Sequence, residues 1–280
     1  MAEIALVHLV WEPAGIGALE NFIRAYKAHP AGIEHELIVA FNGFGGKGLE
    51  IHRQVLKGIA DGEMEIPTRV QDIPAYSWVA RRIPHRHVCF VNSYSEPLVA
   101  GWLLMLHQAM MMPATGAVGA TGSWESPYTD YELAVRATVQ RMPMSYAKRL
   151  VRRYRLARYR RHFDPAPNPH LRSSAFMIER AKWSEMDTAS VVRKWDAWRF
   201  ESGRESMTRR LESRGLNVLV VGRDGVSYKK DDWPNSFTFR SGGQANLLVA
   251  DNRTRQYADA GNEDRRRLNT LAWGEGTAPL

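Results

Sequence analysis

Short apolar runs alternate with helix-like segments through the first part of the chain. The runs 4–10, 35–41, 88–91 and 116–122 are typical of buried strands. Between them, segments such as 18–29 repeat apolar residues at helical spacing. This alternation predicts an α/β fold with a mostly parallel central sheet flanked by helices.

Further elements complete this first part of the fold. Helices are predicted over 49–59, 76–83 and 98–112, and a short strand over 68–73. The apolar segment 98–112 is too short to cross a bilayer. We therefore expect these helices to pack on the sheet.

The pattern changes after Pro127. We expect helices within 130–163, a strand over 170–179, a helix over 202–215 and a strand over 217–221. The segment 222–280 is rich in aromatic residues and arginine, and its pattern of apolar residues is less regular. The predicted organisation is a single domain over 1–280 with a first half at 1–126, a second half with a helical insertion at 127–221, and a C-terminal extension at 222–280.

The strand at 88–91 ends abruptly in the polar residues Asn92, Ser93, Ser95 and Glu96. Open α/β sheets bind ligands outside the carboxyl ends of their strands, so these side chains lie where a ligand is expected. The alternative is an ordinary strand-to-helix turn with Pro97 in the first turn of the helix.

The order of the elements and their polar ends resembles the nucleotide-sugar half of GT-A glycosyltransferases, especially the family 2-like enzymes. The run from Asp72 to Arg81 is a loose version of a family motif that precedes the key strand. That strand ends in Asp-x-Asp in the family, where this chain has Asn92 to Glu96. Glu205 and Arg210 resemble the carboxylate and arginine of a later family helix. The resemblance covers 4–221 and implies a Rossmann-like nucleotide-diphospho-sugar transferase fold.

This resemblance implies transfer of a sugar from a nucleotide-sugar donor to a glycan or lipid-linked acceptor, with inversion. Glu205 is the expected base, and Glu125 is the second choice. The alternative for Glu205 is a capping box with Ser202. The expected donor-site residues are Glu12, Asn42, Asp72, Arg81, Asn92, Ser93, Ser95, Glu96 and Trp124.

One carboxylate beside neutral Asn and Ser side chains is a weak site for Mn²⁺ or Mg²⁺. Either Glu96 is the sole carboxylate ligand, or cationic side chains bind the diphosphate in place of a metal ion. Loss of catalysis is the third option. The candidate cations for such a clamp are Arg81, Arg223, Lys229, Arg240 and Arg253.

Two histidines, His85 and His87, precede the central strand. Their spacing allows a metal ion, but no carboxylate or cysteine cluster accompanies them in the sequence. They also lie at the end of the strand opposite to the expected site. We therefore expect no functional metal ion there.

The formal net charge of +8 is concentrated in one segment, because eight Arg and Lys residues fall within 148–161. A helix there has an apolar strip and a wide cationic face. It could rest on an anionic membrane, hold a lipid phosphate or anionic glycan, or bind RNA. The alternative is a solvated basic helix.

Two rival functions remain open from the sequence. A catalytically silent GT-A-fold scaffold is favoured by the missing Asp-x-Asp, and a nucleic-acid-binding protein by the arginine segment. No nucleic-acid-binding signature supports the latter. The N-terminus has no basic signal-peptide region. We expect a bacterial, cytoplasmic protein of surface-glycan assembly, either free or peripheral at the inner face of the membrane.

Overall fold

The structure, a computed structural model, describes residues 2–46, 48–141 and 146–279. Its strands are β1 (Ile4–Trp11), β2 (Glu36–Asn42), β3 (Gly62–Ile66), β4 (His87–Val91), β5 (Glu96–Pro97), β6 (Thr115–Gly119), β7 (Gly122–Ser123), β8 (His170–Leu171), β9 (Ala175–Glu179), β10 (Asn217–Val221), β11 (Ser227–Tyr228) and β12 (Val249–Ala250).

The helices lie between and after these strands. They are α1 (Gly15–Ala28), α2 (Leu49–Leu56), α3 (Asp72–Ala80), α4 (Trp102–Met110), α5 (Pro127–Arg141), α6 (Tyr146–His162), α7 (Arg180–Ser184), α8 (Lys194–Ser202), α9 (Met207–Glu212), α10 (Asn252–Ala258) and α11 (Asn262–Trp273). Short 3-10 helices occupy Glu12–Ala14, Lys230–Asn235 and Gly242–Gln244.

The main sheet has the strand order β11-β10-β6-β9-β4-β1-β2-β3. β1 is parallel to β2 and β4, β2 is parallel to β3, and β6 is parallel to β10. β9 runs antiparallel to both of its neighbours, β4 and β6. The predicted α/β fold with a mostly parallel sheet is therefore confirmed. The carboxyl ends of β1, β2, β3 and β4 meet at one edge.

Helices cover both faces of this sheet, which explains why its central strands are mostly apolar. In β4, Cys89 packs on the face that also buries Trp102 of α4. Phe90 faces the other side and stacks on Tyr76 of α3, with ring centroids 4.5 Å apart. Full burial of a side chain such as Phe90 stabilises the fold by roughly 2 kcal/mol.

The strand predicted over 68–73 is wrong. The edge strand is β3, which starts six residues earlier at Gly62, and Asp72 is the first residue of α3. An edge strand needs apolar residues on one face only, and in β3 Met64 and Ile66 supply them in alternation with glutamates.

The helix predicted over 202–215 is also wrong at its start. Ser202 ends α8, and α9 begins after Ser206, whose hydroxyl accepts a hydrogen bond from the Arg209 amide. The Ser202–Glu205 capping box therefore does not form. Gly203 separates the two helices, and a Cβ there would lie 2.4 Å from the Arg199 carbonyl oxygen.

The segment after β4 does not enter a helix directly. Glu96 and Pro97 form β5, which pairs with β12 of the C-terminal extension. α4 begins only after Gly101, which has a positive φ of 78°. The alternative with Pro97 in the first turn of a helix is therefore wrong.

The C-terminal extension is more regular than its sequence suggests, since it contains α10 and α11 as well as β11 and β12. Its side chains Trp233, Phe239 and Trp273 belong to the same buried cluster as Phe90 of the central strand. The extension therefore contributes to the core of the protein.

The helical insertion is the pair α5 and α6, where Tyr131 and Tyr159 stack with ring centroids 4.6 Å apart. In the part of the chain that the structure describes, each helix is either too short or too polar to cross a membrane.

Candidate active site

A cavity of about 630 Å³ opens at the carboxyl edge of the parallel strands. We call it the strand-edge cavity. Its walls include Trp11 at the end of β1, Asn92 and Ser93 at the end of β4, and Asp72 at the start of α3. Its volume lies within the range of small-molecule sites, so a nucleotide fits there by size.

The polar residues after β4 build a rigid turn. The Ser93 hydroxyl donates to the Leu9 carbonyl oxygen at 2.7 Å and accepts from the Trp11 amide at 2.9 Å. The Asn92 side-chain oxygen accepts from the Tyr94 amide at 3.0 Å. Much of the hydrogen-bonding capacity of this turn is therefore used within the protein.

Ser95 and Glu96 lie outside the strand-edge cavity. The Ser95 hydroxyl is buried and donates to the Ser174 carbonyl oxygen at 2.8 Å. Glu96 forms an ion pair with Arg255 at 2.9 Å. Because the turn offers the cavity neutral oxygens that are already bonded, and its one carboxylate is paired elsewhere, these residues do not fit a Mn²⁺ or Mg²⁺ ion.

Two other predicted donor-site residues lie beside the cavity without lining it. Asn42 is buried, and its side chain donates to the Val70 carbonyl oxygen at 2.8 Å and accepts from the Val70 amide at 3.1 Å. It thereby positions Val70, which does line the cavity. Glu12 is exposed at the start of a 3-10 helix.

Asp72 is a carboxyl group with an altered acidity. Burial, and secondly the charge of Glu201, raise the pKa of Asp72 to about 6. The two carboxyl groups therefore interact across the strand-edge cavity.

Glu201 of α8 was not among the residues predicted from the sequence. Its Oε1 accepts hydrogen bonds from the Ser173 amide at 2.7 Å and the Ser173 hydroxyl at 2.8 Å. With Trp198, one turn earlier on the same helix, it lines both the strand-edge cavity and a second cavity. The sequence did offer a signal for this pair, because Trp198 and Glu201 are three residues apart and so lie on one face of a helix.

The second cavity has a volume of about 390 Å³. We call it the helix-side cavity, because α5, α6 and α8 form much of its wall. Of the predicted residues, it brings together Glu125, Arg240 and Arg253. It also contains Asp130, whose pKa rises to about 7 because of burial and the nearby charge of Glu125, with Arg240 acting in the opposite direction.

Two arginines of the helix-side cavity are fixed by their surroundings. Arg172 forms an ion pair with the buried Asp251 at 2.7 Å, and its guanidinium lies 4.2 Å from the Phe239 ring centroid. Arg240 is buried, lies 3.6 Å from Glu125, and contacts the same ring. Burial lowers the pKa of Arg240 to about 10.

The other predicted clamp residues line neither cavity. Arg81 follows the last turn of α3, a helix length away from the edge where α3 begins. Arg223 donates to the Leu98 carbonyl oxygen at 3.0 Å, and Lys229 precedes a 3-10 helix in the extension.

Trp124, which was predicted in the donor site, is partly buried and donates through its indole nitrogen to the Lys230 carbonyl oxygen at 3.1 Å.

Glu205 lies in a separate groove with Arg204, Arg210 and His162. Its side chain is 77% exposed and forms an ion pair with Arg210 at 3.4 Å. The structure therefore does not bring Glu205 together with Asn92 or Asp72.

Neither a family model nor a curated protein matches this chain. Among solved structures, the mannosyltransferase PcManGT from Pyrobaculum calidifontis, in complex with GDP-Man and Mn²⁺, is similar at 10% identity and a TM-score of 0.49, over 84% of this chain and 60% of that one. The S. aureus TarS 1–349 structure is similar at 10% identity and a TM-score of 0.33, over 42% of this chain and 34% of that one. At these values, a functional conclusion must come from the site itself.

Proposed function

We propose that this protein is a glycosyltransferase that moves a sugar from a nucleotide-sugar donor to a hydroxyl group of an acceptor. The strand-edge cavity holds the donor, and the helix-side cavity holds the acceptor. One observation carries this proposal: Glu201 and Trp198 line both cavities. A base at that wall can reach a hydroxyl group in one cavity while the sugar lies in the other.

The donor site works without a divalent ion in this proposal. Arg69 stacks over Trp11 with its guanidinium 5.4 Å from the ring centroid. Lys194 begins α8, lines the same cavity, and has its ammonium nitrogen 5.4 Å from the Trp198 ring centroid. These two cations in the lining of a nucleotide-sized cavity supply the positive charge that a leaving diphosphate requires.

Glu201 is the base that the geometry favours. Ser173 holds its Oε1, which leaves Oε2 for the acceptor hydroxyl. The bond between the anomeric carbon and the diphosphate oxygen breaks as the acceptor oxygen bonds to that carbon, and the hydroxyl proton passes to Glu201. This single displacement inverts the anomeric centre. The sequence-based assignment of Glu205 stays a prediction.

The exposed indole of Trp198 supplies a flat apolar face on which a sugar ring can stack. In the helix-side cavity, Glu125 and Asp130 are acceptors for sugar hydroxyl groups, and Arg240 and Arg253 suit an anionic substituent. A glycan or lipid-linked acceptor fits this polar lining. The basic face of α6 would then hold the protein at the inner face of a membrane.

The test is binding of UDP, GDP, CMP and TDP sugars, measured by calorimetry and thermal shift, in EDTA and in Mn²⁺. We expect one nucleotide class to bind in both conditions. Lys194→Ala should weaken that binding roughly tenfold through the loss of a charged contact. Lys229→Ala is the matched control, since Lys229 lines neither cavity. Absence of binding by every nucleotide sugar would refute the proposal.

A catalytically silent scaffold is the second candidate function. It is favoured by the turn after β4, where Ser93, Ser95 and Asn92 bond within the protein. One experiment distinguishes the two functions: release of nucleoside diphosphate is measured after acceptors are added to the protein and its nucleotide sugar. A scaffold that retains the donor site binds the nucleotide sugar but releases no nucleoside diphosphate.

A further inference from the structure

A cluster of metal-ligating side chains lies at the edge of the sheet opposite to both cavities. Glu3 immediately precedes β1, His87 begins β4, and His107 lies in the last turn of α4. One ligand atom from each of these residues lies within 4.8 Å of the others. Since β4 rises by roughly 3.3 Å per residue, its length separates this cluster from Asn92 by more than 10 Å.

Two imidazole nitrogens of this cluster are buried and have no hydrogen-bond partner. They are Nδ1 of His87 and Nε2 of His107, and the rings meet edge to face with centroids 5.2 Å apart. His87 itself is 2% exposed. A buried polar atom without a partner is costly, and a metal ion is one of the few ligands that would satisfy both nitrogens together.

The carboxylate of Glu3 completes the set. Its Oε1 lies 3.6 Å from Nδ1 of His87, beyond hydrogen-bonding distance, and 3.3 Å from Arg86. Glu3 is exposed, so its side chain can move toward the histidines without disturbing the core.

We propose that Glu3, His87 and His107 bind a divalent transition-metal ion of the Zn²⁺ class. Two imidazoles and one carboxylate suit Zn²⁺, with a water molecule in the fourth position of a tetrahedron. The ion joins the start of β1, the start of β4 and the end of α4. Its effect is therefore structural, and it acts independently of the sugar-transfer site.

The experiment uses the full chain without a histidine tag, stripped with a chelator and titrated with Co²⁺. Binding of one Co²⁺ ion should give the visible absorption of a tetrahedral site, and Zn²⁺ should displace it. The thermal midpoint should rise with Zn²⁺, because the ion binds the folded state. Nucleotide sugar is left out, so the result does not depend on donor binding.

Two ligand variants and one control decide the outcome. Glu3→Gln and His107→Gln should weaken Co²⁺ binding about 10-fold to 100-fold or more and remove the thermal shift. His85→Gln is the control, since that buried histidine at the same edge contacts Glu36 instead. Glu3 is on the surface, so its variant folds even if a histidine variant does not. Absence of a tetrahedral Co²⁺ spectrum, or equal binding by Glu3→Gln, would overturn the proposal.

Discussion

Ser173 holds Glu201 by two hydrogen bonds, one from its amide and one from its hydroxyl group. Ser173 lies just before β9, the strand that runs antiparallel to β4. The antiparallel direction brings the start of β9 to the same edge as the end of β4. The site therefore depends on a strand that reverses direction within an otherwise parallel region of the sheet.

The proposed base can be tested by one amide substitution. Glu201→Gln keeps the shape of the side chain and removes its ability to accept a proton. We expect kcat for sugar transfer to fall about 10²-fold to 10⁴-fold, with little change in the Kd of the donor. Steady-state kinetics and calorimetry measure the two quantities.

Glu205→Gln is the matched control, because Glu205 lies in the separate groove and is exposed. Its kcat should remain within about twofold of the wild type. If Glu205→Gln lost activity and Glu201→Gln kept it, the assignment made from the sequence would be right and ours wrong.

Asp72 should make the protein less stable as the pH rises. Its pKa is raised to about 6 by burial and by Glu201, so the folded state binds the proton more tightly than the unfolded state. The free energy of unfolding therefore falls between about pH 4 and pH 6 as the folded protein is forced to ionise this group. Above about pH 6, the full free-energy cost of ionising Asp72 in the folded state is present.

Asp72→Asn removes this penalty. Urea unfolding at about pH 8 should show a gain of roughly 1 to 2 kcal/mol, reduced from the full shift because the side chain keeps some solvent contact, and no gain near pH 4. Asp264→Asn, at an exposed position of α11, serves as the control and should show no such pH dependence. A gain of equal size at both pH values would contradict the linkage.

The fold could be predicted where burial dictates the sequence. β4 is buried on both faces, so its apolar run and its polar end at Asn92 are visible in the sequence, and both are confirmed at the edge of the sheet. β3 and the break at Gly203 could not be predicted in the same way. An edge strand has a weaker pattern of apolar residues in the sequence. The sequence around Gly203 does not reveal that a side chain there would clash with Arg199.

The site was only partly predictable, because its geometry depends on pairs that are distant in the chain. Asn92 and Ser93 follow from the end of a strand, whereas Asp72 was expected at the end of a strand and instead begins α3; all three line one cavity. Glu201 depends on Ser173, which no local pattern connects to it. The arginines could be identified as cations, but only the fold decides that Arg240 reaches a cavity.

The metal-ligand cluster was missed for the same reason. His87 was considered without a carboxylate partner, since none stands near it in the sequence. The parallel pairing of β1 with β4 places the start of both strands together, and Glu3 lies there. Contacts between the starts of neighbouring strands follow from the topology of the sheet and have no local pattern in the sequence.

Breaking the buried pair of Asp251 and Arg172 should destabilise the protein. Burial raises the pKa of Asp251, but the charge of Arg172 and the Thr254 amide outweigh it and hold the pKa below its ordinary value. Asp251→Asn keeps a side-chain oxygen for capping α10 and removes the charge. Loss of one partner of a buried pair should lower the free energy of unfolding by about 3 kcal/mol near neutral pH.

The pH dependence gives a second test of this pair. A carboxyl group with a depressed pKa stabilises the folded state above its unfolded pKa of about 4, and this contribution is lost as the pH falls through the folded pKa. The difference between wild type and Asp251→Asn should therefore shrink in acid. Asp259→Asn, at the exposed position that follows the same helix, should change stability by less than about 0.5 kcal/mol. A difference that stays constant down to acid pH would argue against the ion pair.

The exposed face of α6 should bind anionic membranes. Arg149, Arg153 and Arg160 share one side of the helix by their spacing, and beside them Leu150 and Tyr154 are exposed large apolar residues. Each arginine near an anionic surface contributes about 1 kcal/mol, and the apolar pair can enter the headgroup region. Replacing the three arginines by glutamine should weaken binding to phosphatidylserine vesicles about 100-fold.

The control replaces Arg24, Arg53 and Arg82 by glutamine, which changes the net charge equally but leaves α6 intact. It should retain most of the vesicle affinity, because attraction falls off within about 8 Å at physiological salt and depends on where the charge lies. Vesicle flotation at two salt concentrations measures both proteins. If both triple variants lost the same amount of vesicle affinity, membrane binding would depend on net charge alone and not on the position of the α6 arginines. Salt-dependent RNA binding that requires the α6 arginines, without vesicle binding, would support the nucleic-acid function instead.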